Sequence, residues 1–343
     1  PSEQAGWRRW EPPYESSALA RGAEGGAGCF AVLARRNDLE KLLEMMRRFE
    51  LYARPSHPEP MLLFVDDLVD ADLAAIRAAM PSQPPHIHRI SMCLPETLAD
   101  VTPKRVQGSS TAYRHMMRFF AVQLWSHPAL RQHGCSHVMR LDTDSFFIGP
   151  LRDNVFDLMR QPPVARYASV MVFRDPLELT AGLHATISAF LDSPMQQRLR
   201  AERAPRANSS RLDGTVYSRF AATTGRTTYS ISGVQFWNNL EVVDLAGFAW
   251  LPLHVEWMRV VDESGTIYKH RTGDALLRTA AALMLLQPHE AALLTRVVPY
   301  QHQDYFSCPT HMEAGVAGAV AADGTLHHST TGCDVTRDLR FIG

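Results

Sequence analysis

Apolar runs typical of buried strands alternate along this chain with segments whose apolar residues recur at helical spacing. Residues 29–34 and 61–65 are short, continuous apolar runs. Between them, apolar residues recur at helical spacing over 39–46, which predicts a helix that Asn37 or Asp38 can cap. Strand, helix and strand in this order form a βαβ unit, so the sequence predicts an α/β fold with a mostly parallel sheet covered by helices.

The same two patterns continue through the rest of the chain. Helices are predicted over 113–125, 155–159 and 274–286, and strands over 137–141 and 168–173. A polar segment with Pro, Asn, Ser and Gly at 200–214 is predicted to be a loop.

The two ends of the chain lack a repeating apolar face. Residues 1–27 mix Pro, Gly, Ser and charge and are predicted to form an arm. Residues 313–343 are rich in Ala, Gly, Thr and His and are predicted to form an extension. Residues 28–312 then make one large domain, which suits a chain of 343 residues with 45% hydrophobic content.

The overall charge excludes some partners. The formal net charge is −1 with a pI near 7.1, so no overall field attracts nucleic acid or an anionic membrane. An anionic ligand must therefore be bound by arginines close to its site. The longest apolar run, 280–286, is far shorter than the roughly 20 residues of a membrane helix. Since the sequence begins at Pro1, a membrane anchor of the full-length protein would lie outside it.

Five cysteines are irregularly spaced, and no two form a C-x-x-C pair. They are Cys29, Cys93, Cys135, Cys308 and Cys333. Up to two disulfides with one free thiol, or buried thiols throughout, fit this pattern. Asn208-Ser209-Ser210 matches the N-glycosylation pattern, which favours a secretory-pathway protein.

Two carboxylates follow the strand predicted at 137–141. Asp142 and Asp144 share one face if this strand continues through them, and ligands of open α/β sheets collect at the carboxyl ends of strands. Carboxylate oxygens hold Mn²⁺ or Mg²⁺, which neutralises a departing diphosphate. The pair therefore suggests a nucleotide-sugar glycosyltransferase. A solvated turn is the ordinary interpretation of Asp-x-Asp alone.

A second cluster points to a different class of protein. His133, Cys135 and His137 alternate, and on a strand they would offer three ligands to Zn²⁺ in a hydrolase. Against this, zinc sites usually draw ligands from several elements, and Gly134 indicates a turn. A non-catalytic carbohydrate-binding module is the other alternative, because no sequence feature proves that the metal strand is active.

Several sequence blocks occur together in a fixed order. They are Tyr113-Arg114-His115-Met116-Met117-Arg118-Phe119-Phe120, His127-Pro128, Arg140-Leu141-Asp142, Phe236-Trp237-Asn238-Asn239-Leu240-Glu241, Gly273-Asp274-Ala275, Tyr300-Gln301-His302 and Cys308-Pro309. The set resembles the fungal-type α-1,2-mannosyltransferases of glycosyltransferase family 15. The resemblance runs from Cys29 to Pro309, and an ordered set of blocks is more specific than any one block.

This resemblance implies a GT-A (Rossmann-like) fold, GDP-mannose as donor, Mn²⁺ or Mg²⁺ as cofactor, a glycan or glycoprotein acceptor, and retention of anomeric configuration. It implies that Asp142 and His302 occupy the positions of the family's metal-binding glutamate and histidine. Glu241 falls on the carboxylate considered as nucleophile or stabiliser of the sugar, and Tyr113 and Asp274 fall on active-site positions. It also implies a Golgi or secretory-pathway lumenal location, with a type II membrane anchor in the full-length protein.

The chain departs from the family pattern at three places. The family's metal strand reads Arg-Val-Glu-Pro, so the shorter Asp142 is expected to need Asp144 as a partner ligand. Val234 stands where the family has a cysteine, and Thr272 where it has an aromatic residue. We therefore expect a divergent member, with GDP-fucose or a UDP-hexose as the alternative donor.

Each predicted site residue also has a local structural interpretation. Glu241 can begin a helix capped by a preceding asparagine, and Asp274 can complement a helix dipole. His302 and Tyr113 can be packing residues.

Arginines are the candidate partners of a donor diphosphate, because guanidinium binds phosphate bidentately. They are Arg35, Arg36, Arg114, Arg118 and Arg140. Arg140 is the best single candidate, and the others have an ordinary interpretation as surface or ion-pair arginines.

Overall fold

The computed structural model describes residues 26–95, 98, 110–197, 234–295, 297–303, 305–307, 319–320 and 326–327. The strands are β1 (Ala27–Ala34), β2 (Met61–Val65), β3 (His86–Arg89), β4 (Cys135–Leu141), β5 (Ser145–Phe147), β6 (Tyr167–Ser169), β7 (Val172–Arg174), β8 (Val234–Phe236), β9 (Leu240–Asp244), β10 (Ala291–Leu293), β11 (Tyr300–His302), β12 (Tyr305–Ser307), β13 (Ala319–Val320) and β14 (Leu326–His327). The α-helices are α1 (Leu39–Tyr52), α2 (Asp70–Ala79), α3 (Thr111–Arg118), α4 (Pro128–Gln132), α5 (Val155–Arg160), α6 (Leu183–Leu191), α7 (Pro252–Ser264), α8 (Thr266–His270) and α9 (Asp274–Leu285). Short 3₁₀ turns span Arg36–Asp38, Leu124–Ser126, Leu177–Thr180 and Pro288–Glu290, and π-helical turns span Phe119–Gln123 and Leu245–Ala249.

A seven-stranded sheet forms the centre of the fold, in the order β10-β6-β9-β4-β1-β2-β3. The strands β3, β2, β1 and β4 run parallel, and β10 runs parallel to β6. Only β9 in this sheet is antiparallel to its neighbours, β4 and β6. The prediction of a mostly parallel sheet is confirmed, and so is the βαβ unit, which is β1, α1 and β2.

A smaller antiparallel sheet lies at the carboxyl end of β4. It consists of β5, β11 and β12, and it pairs Ser145 with His302. Because β5 follows β4 after a turn of three residues, the small sheet brings His302 close to the carboxylates that follow β4.

Successive residues of the central strands point to opposite faces of the sheet and contribute to two apolar cores, one on each face. On the first face, Phe30 packs edge-on against Phe49 of α1 and Phe156 of α5, with ring centroids 4.7 and 5.3 Å apart. On the second face, Ala31 belongs to a core with residues of α3, α7 and α9, among them the fully buried Leu276. Helices on both faces of a parallel sheet are the arrangement expected of an α/β protein.

A disulfide joins Cys29 of β1 to Cys135 of β4, with their Cα atoms 5.6 Å apart. The alternative of a zinc site at His133, Cys135 and His137 is therefore ruled out, because the thiolate it requires is oxidised. Cys93 is a free thiol. The remaining cysteines, Cys308 and Cys333, lie outside the described residues, as do Asn208 and the loop predicted over 200–214.

Two local expectations are also wrong. Strand β4 ends at Leu141, and Asp142 begins a turn in which its carbonyl accepts from the Ser145 backbone N–H at 3.0 Å. Asp142 and Asp144 therefore do not share a strand face. Glu241 does not begin a helix, since it lies within β9 and pairs with strands on both sides.

In the described part of the chain, no helix has the length and apolarity needed to cross a membrane.

Candidate active site

Arg140 lies at the centre of a buried group of carboxylates. The antiparallel register of β4 and β9 places it directly opposite Glu241, so both side chains leave the sheet on one face. Its Nη1 atom lies 2.5 Å from Asp274 Oδ2 and 3.8 Å from Glu241 Oε1, and its Nη2 atom lies 2.9 Å from Asp142 Oδ1. The guanidinium carbon stands 3.6 Å from the centre of the Phe120 ring. One guanidinium therefore organises three carboxylates.

Electrostatics keep this arginine charged. Burial alone lowers the pKa of Arg140, but Asp142, Asp274 and Glu241 together raise it above the usual arginine value. The sequence predicted Arg140 as a diphosphate partner, and the structure adds that the same group binds the carboxylates around it.

Glu241 has no exposed surface and lies between two arginines. Its Oε2 atom is 3.4 Å from Arg278 Nε, and its Oε1 atom faces Arg140. Burial raises the pKa of Glu241, and the two guanidinium groups oppose that rise. Among the described residues neither oxygen has a hydrogen bond of good geometry, although an interaction with the Tyr167 hydroxyl group also lowers the pKa of Glu241.

Asp274 is the first residue of α9, where a carboxylate complements the helix dipole. The structure gives it more than this role, since Oδ2 also accepts from Asn238 Nδ2 at 2.9 Å and from Arg140. Tyr113 lies in the first turn of α3, with the Arg271 guanidinium carbon 5.2 Å from its ring centre. Burial, and then the charge of Asp274, raise the pKa of Tyr113 to about 12, which keeps the phenol protonated at neutral pH.

Asp142 and His302 converge on the side-chain amide of Asn239. The Asn239 Nδ2 atom lies 2.8 Å from Asp142 Oδ2 and 3.1 Å from His302 Nε2. On the other side of the imidazole, Nδ1 is 3.2 Å from Asp144 Oδ1, and the second oxygen of Asp144 binds Lys41 Nζ at 3.1 Å. The structure thus brings all three predicted metal residues into one chain of contacts.

The pKa values of Asp142 and Asp144 shift in opposite directions, although both side chains are largely buried. Burial raises the pKa of Asp142 despite the nearby Arg140. It acts against ionisation of Asp144 as well, but the contacts with His302 and Lys41 outweigh it and lower the pKa of Asp144 to about 2.

The donor set fits a divalent cation with two protein ligands. Asp142 Oδ2 and His302 Nε2 both face the side-chain amide nitrogen of Asn239. Two acceptor atoms therefore lie next to one positively polarised group, which is the kind of position that a cation can take. Among the described residues, no group of three or more His, Cys, Asp or Glu side chains is arranged to hold a metal ion. Asp142 and His302 are therefore the two ligands to consider, and other oxygens must complete the coordination.

The other predicted arginines lie in different surroundings. Arg35, at the carboxyl end of β1, lies 3.8 Å from Asp38. Arg118 binds both oxygens of Asp262 at 2.6 and 2.7 Å, so two of its donors are already used within the protein. Arg114 is buried and donates to the carbonyl oxygens of Ile267 and Tyr268.

Arg278 is the residue that sequence reasoning missed. It lies on α9 beside Glu241, with its guanidinium carbon 4.2 Å from the centre of the Trp125 ring. The sequence signal is an arginine within a mostly apolar helix, four residues after Asp274 and hence on the same face. Asn239 was considered only as a helix cap.

Comparison with known proteins decides the family. The sequence model of the family described as glycolipid 2-alpha-mannosyltransferase matches residues 70–328. The chain belongs to this family. It is therefore a glycosyltransferase, as the ordered sequence blocks predicted.

Its relatives in the glycolipid 2-alpha-mannosyltransferase family are distant in sequence. The chain is 22% identical over 345 residues to the glycolipid 2-alpha-mannosyltransferase of Saccharomyces cerevisiae, an alignment that covers 96% of this chain and 70% of that protein.

Solved structures share the fold. The mannosyltransferase Ktr4p from S. cerevisiae matches with a TM-score of 0.65 at 20% identity, over 89% of this chain and 78% of that one. Core-mannan synthase A from Aspergillus fumigatus, solved in an Mn/GDP form, matches with a TM-score of 0.65 at 19% identity, over 89% and 81% of the two chains. The predicted GT-A-like α/β fold is confirmed.

Proposed function

We propose that this chain is a retaining, metal-dependent mannosyltransferase that transfers mannose from GDP-mannose to a hydroxyl group of a glycan or glycoprotein, in the manner of an α-1,2-mannosyltransferase. Membership of the family supports the sugar, and the Mn/GDP form of the Aspergillus relative supports the metal and the nucleotide. The observation that carries the proposal is the convergence of Asp142 and His302 on one point beside the carboxylates that Arg140 holds.

Asp142 and His302 would hold Mn²⁺ or Mg²⁺, and oxygens of the donor diphosphate with water would complete its coordination. Such an ion acts as a Lewis acid on the departing diphosphate, a contribution of roughly several kcal/mol to the transition state.

The chain's own residues orient the sugar and the acceptor. Arg140 fixes Asp142 and Asp274 relative to each other, because it binds both carboxylates at once. The Glu241 carboxylate would lie on the face of the sugar opposite the diphosphate. There it would either attack the anomeric carbon as a nucleophile or stabilise the positive charge that develops on that carbon. Asp274 and Tyr113 line the acceptor side, where Asp274 orients the attacking hydroxyl group.

The setting we propose is the lumen of the Golgi or of the secretory pathway. The buried disulfide between Cys29 and Cys135 supports this setting, because such bonds form and persist in oxidising compartments. In this proposal residues 28–312 are the catalytic domain, 1–27 are a stem that leads to a type II membrane anchor, and 313–343 are an extension. Nucleic acid is not a partner, since the net charge of −1 provides no field for it.

A thermal-shift panel tests the proposal without knowledge of the acceptor. GDP-mannose, GDP-fucose, UDP-galactose, UDP-glucose and the free nucleotides are each added with and without Mn²⁺, because a ligand that binds the native state raises its apparent stability. We expect a Mn²⁺-dependent rise in Tm with GDP and GDP-mannose, and loss of that dependence in His302→Gln.

Each other outcome has a definite meaning. A rise with GDP-fucose or a UDP-hexose alone would replace the donor and retain the mechanism. A panel without any nucleotide-dependent rise would contradict transferase activity and favour a non-catalytic carbohydrate-binding module.

A further inference from the structure

The imidazole of His302 is held from three sides. Its Nε2 atom contacts Asn239 Nδ2 at 3.1 Å and its Nδ1 atom contacts Asp144 Oδ1 at 3.2 Å. The indole of Trp237 packs edge to face against the ring, with centroids 4.9 Å apart. With only 4% of its surface exposed, His302 has a defined orientation before any ligand binds.

The contacts also define which ring nitrogen carries the proton. Asn239 Nδ2 must donate, since it lies 2.8 Å from a carboxylate oxygen of Asp142. The second hydrogen of the same amide points to His302 Nε2, so Nε2 is an acceptor. A neutral imidazole carries one N–H, and that N–H is then Nδ1–H, which faces Asp144. The Asn239 contact therefore indicates the tautomer, and on the other side Asp144 Oδ1 lies 3.2 Å from Nδ1, close to it although the contact does not have the geometry of a full hydrogen bond.

Asp144 is itself fixed in orientation. One oxygen faces His302, and the other binds Nζ of Lys41, in the first turn of α1, at 3.1 Å. The carboxylate is mostly buried, with 16% of its side chain exposed. Both of its oxygens are therefore engaged with protein groups, and neither is directed at the point where Asp142 and His302 converge.

We propose that Asp144 is a positioning residue that holds His302 as the Nδ1–H tautomer, with the Nε2 lone pair directed toward the metal point beside Asp142. This assignment rests on the proposed function, and it replaces the expectation that Asp144 is itself a metal ligand. Metal-binding histidines generally donate their second N–H to a carboxylate or carbonyl, which fixes the ring and raises its basicity. Asp144 is then a partner for the histidine rather than a third ligand for the metal.

The tautomer can be measured in the metal-free protein. Histidine labelled with ¹⁵N gives long-range ¹H–¹⁵N correlations that distinguish Nδ1–H from Nε2–H, and the His302 signal among 15 histidines is the one lost in His302→Gln. We expect Nδ1–H in the wild type at pH 8 and a measurable share of Nε2–H in Asp144→Ala, where only the Asn239 amide still favours Nδ1–H. Asp144→Asn combined with Lys41→Ala should restore Nδ1–H, because without the competing lysine the amide oxygen can accept from that nitrogen.

A matched control separates this effect from general loss of a carboxylate. Asp157→Ala removes a carboxylate that pairs with Arg160 at the surface, and the His302 signal should not change. An Nε2–H tautomer in the wild type, or an unchanged tautomer in Asp144→Ala, would overturn the proposal.

Mn²⁺ titration by EPR in the presence of GDP supplies the second readout. Loss of an outer partner of a metal ligand typically weakens metal affinity ~10- to 100-fold, so we expect that range for Asp144→Ala and recovery in the double variant Asp144→Asn with Lys41→Ala. A double variant as weak as Asp142→Ala would identify Asp144 as a direct ligand and overturn the proposal.

The two proposals fail in different ways. If His302→Gln weakens Mn²⁺ binding and Asp144→Ala does not, the positioning role fails and the metal site stands. If neither His302→Gln nor Asp142→Ala weakens Mn²⁺ binding, the metal site of the proposed function fails, and the metal role of Asp144 fails with it.

Discussion

The two faces of the central sheet use alternate residues of the same strands, yet they differ in chemistry. On one face, Met139 and Val242 are buried in an apolar core against α1, α2 and α5. On the other, Arg140 and Glu241 are equally buried beside Arg278. Burying ions rarely adds net stability, since desolvation offsets much of their attraction. The apolar face therefore explains the stability of the sheet, while the charged face is best explained by function.

The largest expected effect separates activity from stability across these faces. Glu241→Gln should lower kcat by ~10⁴-fold or more, equivalent to about 5 kcal/mol, because it removes the charge opposite the departing diphosphate. Its Tm should also fall, because the neutral amide leaves the buried Arg278 without its carboxylate partner, but the variant should still fold because the amide has the same shape. Val242→Ala, the next residue on the opposite face, should lower the free energy of unfolding and leave kcat nearly unchanged. Transfer assays and urea unfolding measure both, and full activity in Glu241→Gln would remove its assigned role.

A second effect compares a lost cation with a lost apolar side chain. Arg140→Met should lower the free energy of unfolding by about 3–5 kcal/mol, because three carboxylates lose their buried partner. Met139→Ala, on the apolar face, should cost a similar ~2–5 kcal/mol by leaving a cavity.

The pH dependence distinguishes these two losses. Without Arg140 the folded-state pKa values of the buried carboxyls lie above their unfolded values, so the folded state binds more protons and stability recovers as pH falls. The loss in Arg140→Met should therefore shrink between pH 7 and pH 5, while that in Met139→Ala should not. Urea unfolding at both pH values measures this, and parallel curves would contradict the account of the charged face.

The smallest effect concerns a titratable group on the apolar face. His57 is fully buried, and its Nε2 atom accepts from the Val155 backbone N–H at 3.0 Å. Burial lowers the pKa of His57 to about 4. The unfolded chain therefore binds a proton first, so the stability of this neutral histidine is complete above about pH 6.5 and is lost as pH falls toward 4, up to about 3 kcal/mol.

Urea unfolding between pH 7 and pH 4.5 measures this slope. His57→Asn should flatten it without abolishing it, since burial also lowers the pKa values of His88 and His127 to about 4. The exposed His184 provides the control, because His184→Asn should leave the slope unchanged. An equal slope in His57→Asn would show that other groups govern the acid sensitivity.

The spacing of apolar residues within one segment was enough to predict the fully buried strands and the helices with one apolar face. The apolar run at Met61–Val65 is β2 residue for residue, and the helix predicted over 274–286 is α9 to within one residue. Both follow from periodicity within a single segment, which requires no knowledge of distant residues.

The charged face could not be predicted in this way, because its order comes from pairing between distant segments. Glu241 lies two residues after a pair of asparagines and resembles a helix start, and its pairing with Arg140 and Ser169 places it in the sheet. The contact between Arg278 and Glu241 also depends on that pairing, because it places the Glu241 side chain beside α9. Propensity is a weak prior where tertiary pairing decides the backbone, so the site residues were identified through the family resemblance and their contacts through the structure.

The disulfide described above makes a closed covalent ring of the chain between Cys29 and Cys135, which are 106 positions apart. The ring contains α1, β2, α2, β3, α3 and α4. A protease that cuts one peptide bond within it opens the ring but releases no fragment. A nicked molecule would therefore migrate as one chain on a non-reducing gel and as two after reduction, so damage to this half of the protein is invisible until the sulfur–sulfur bond is broken.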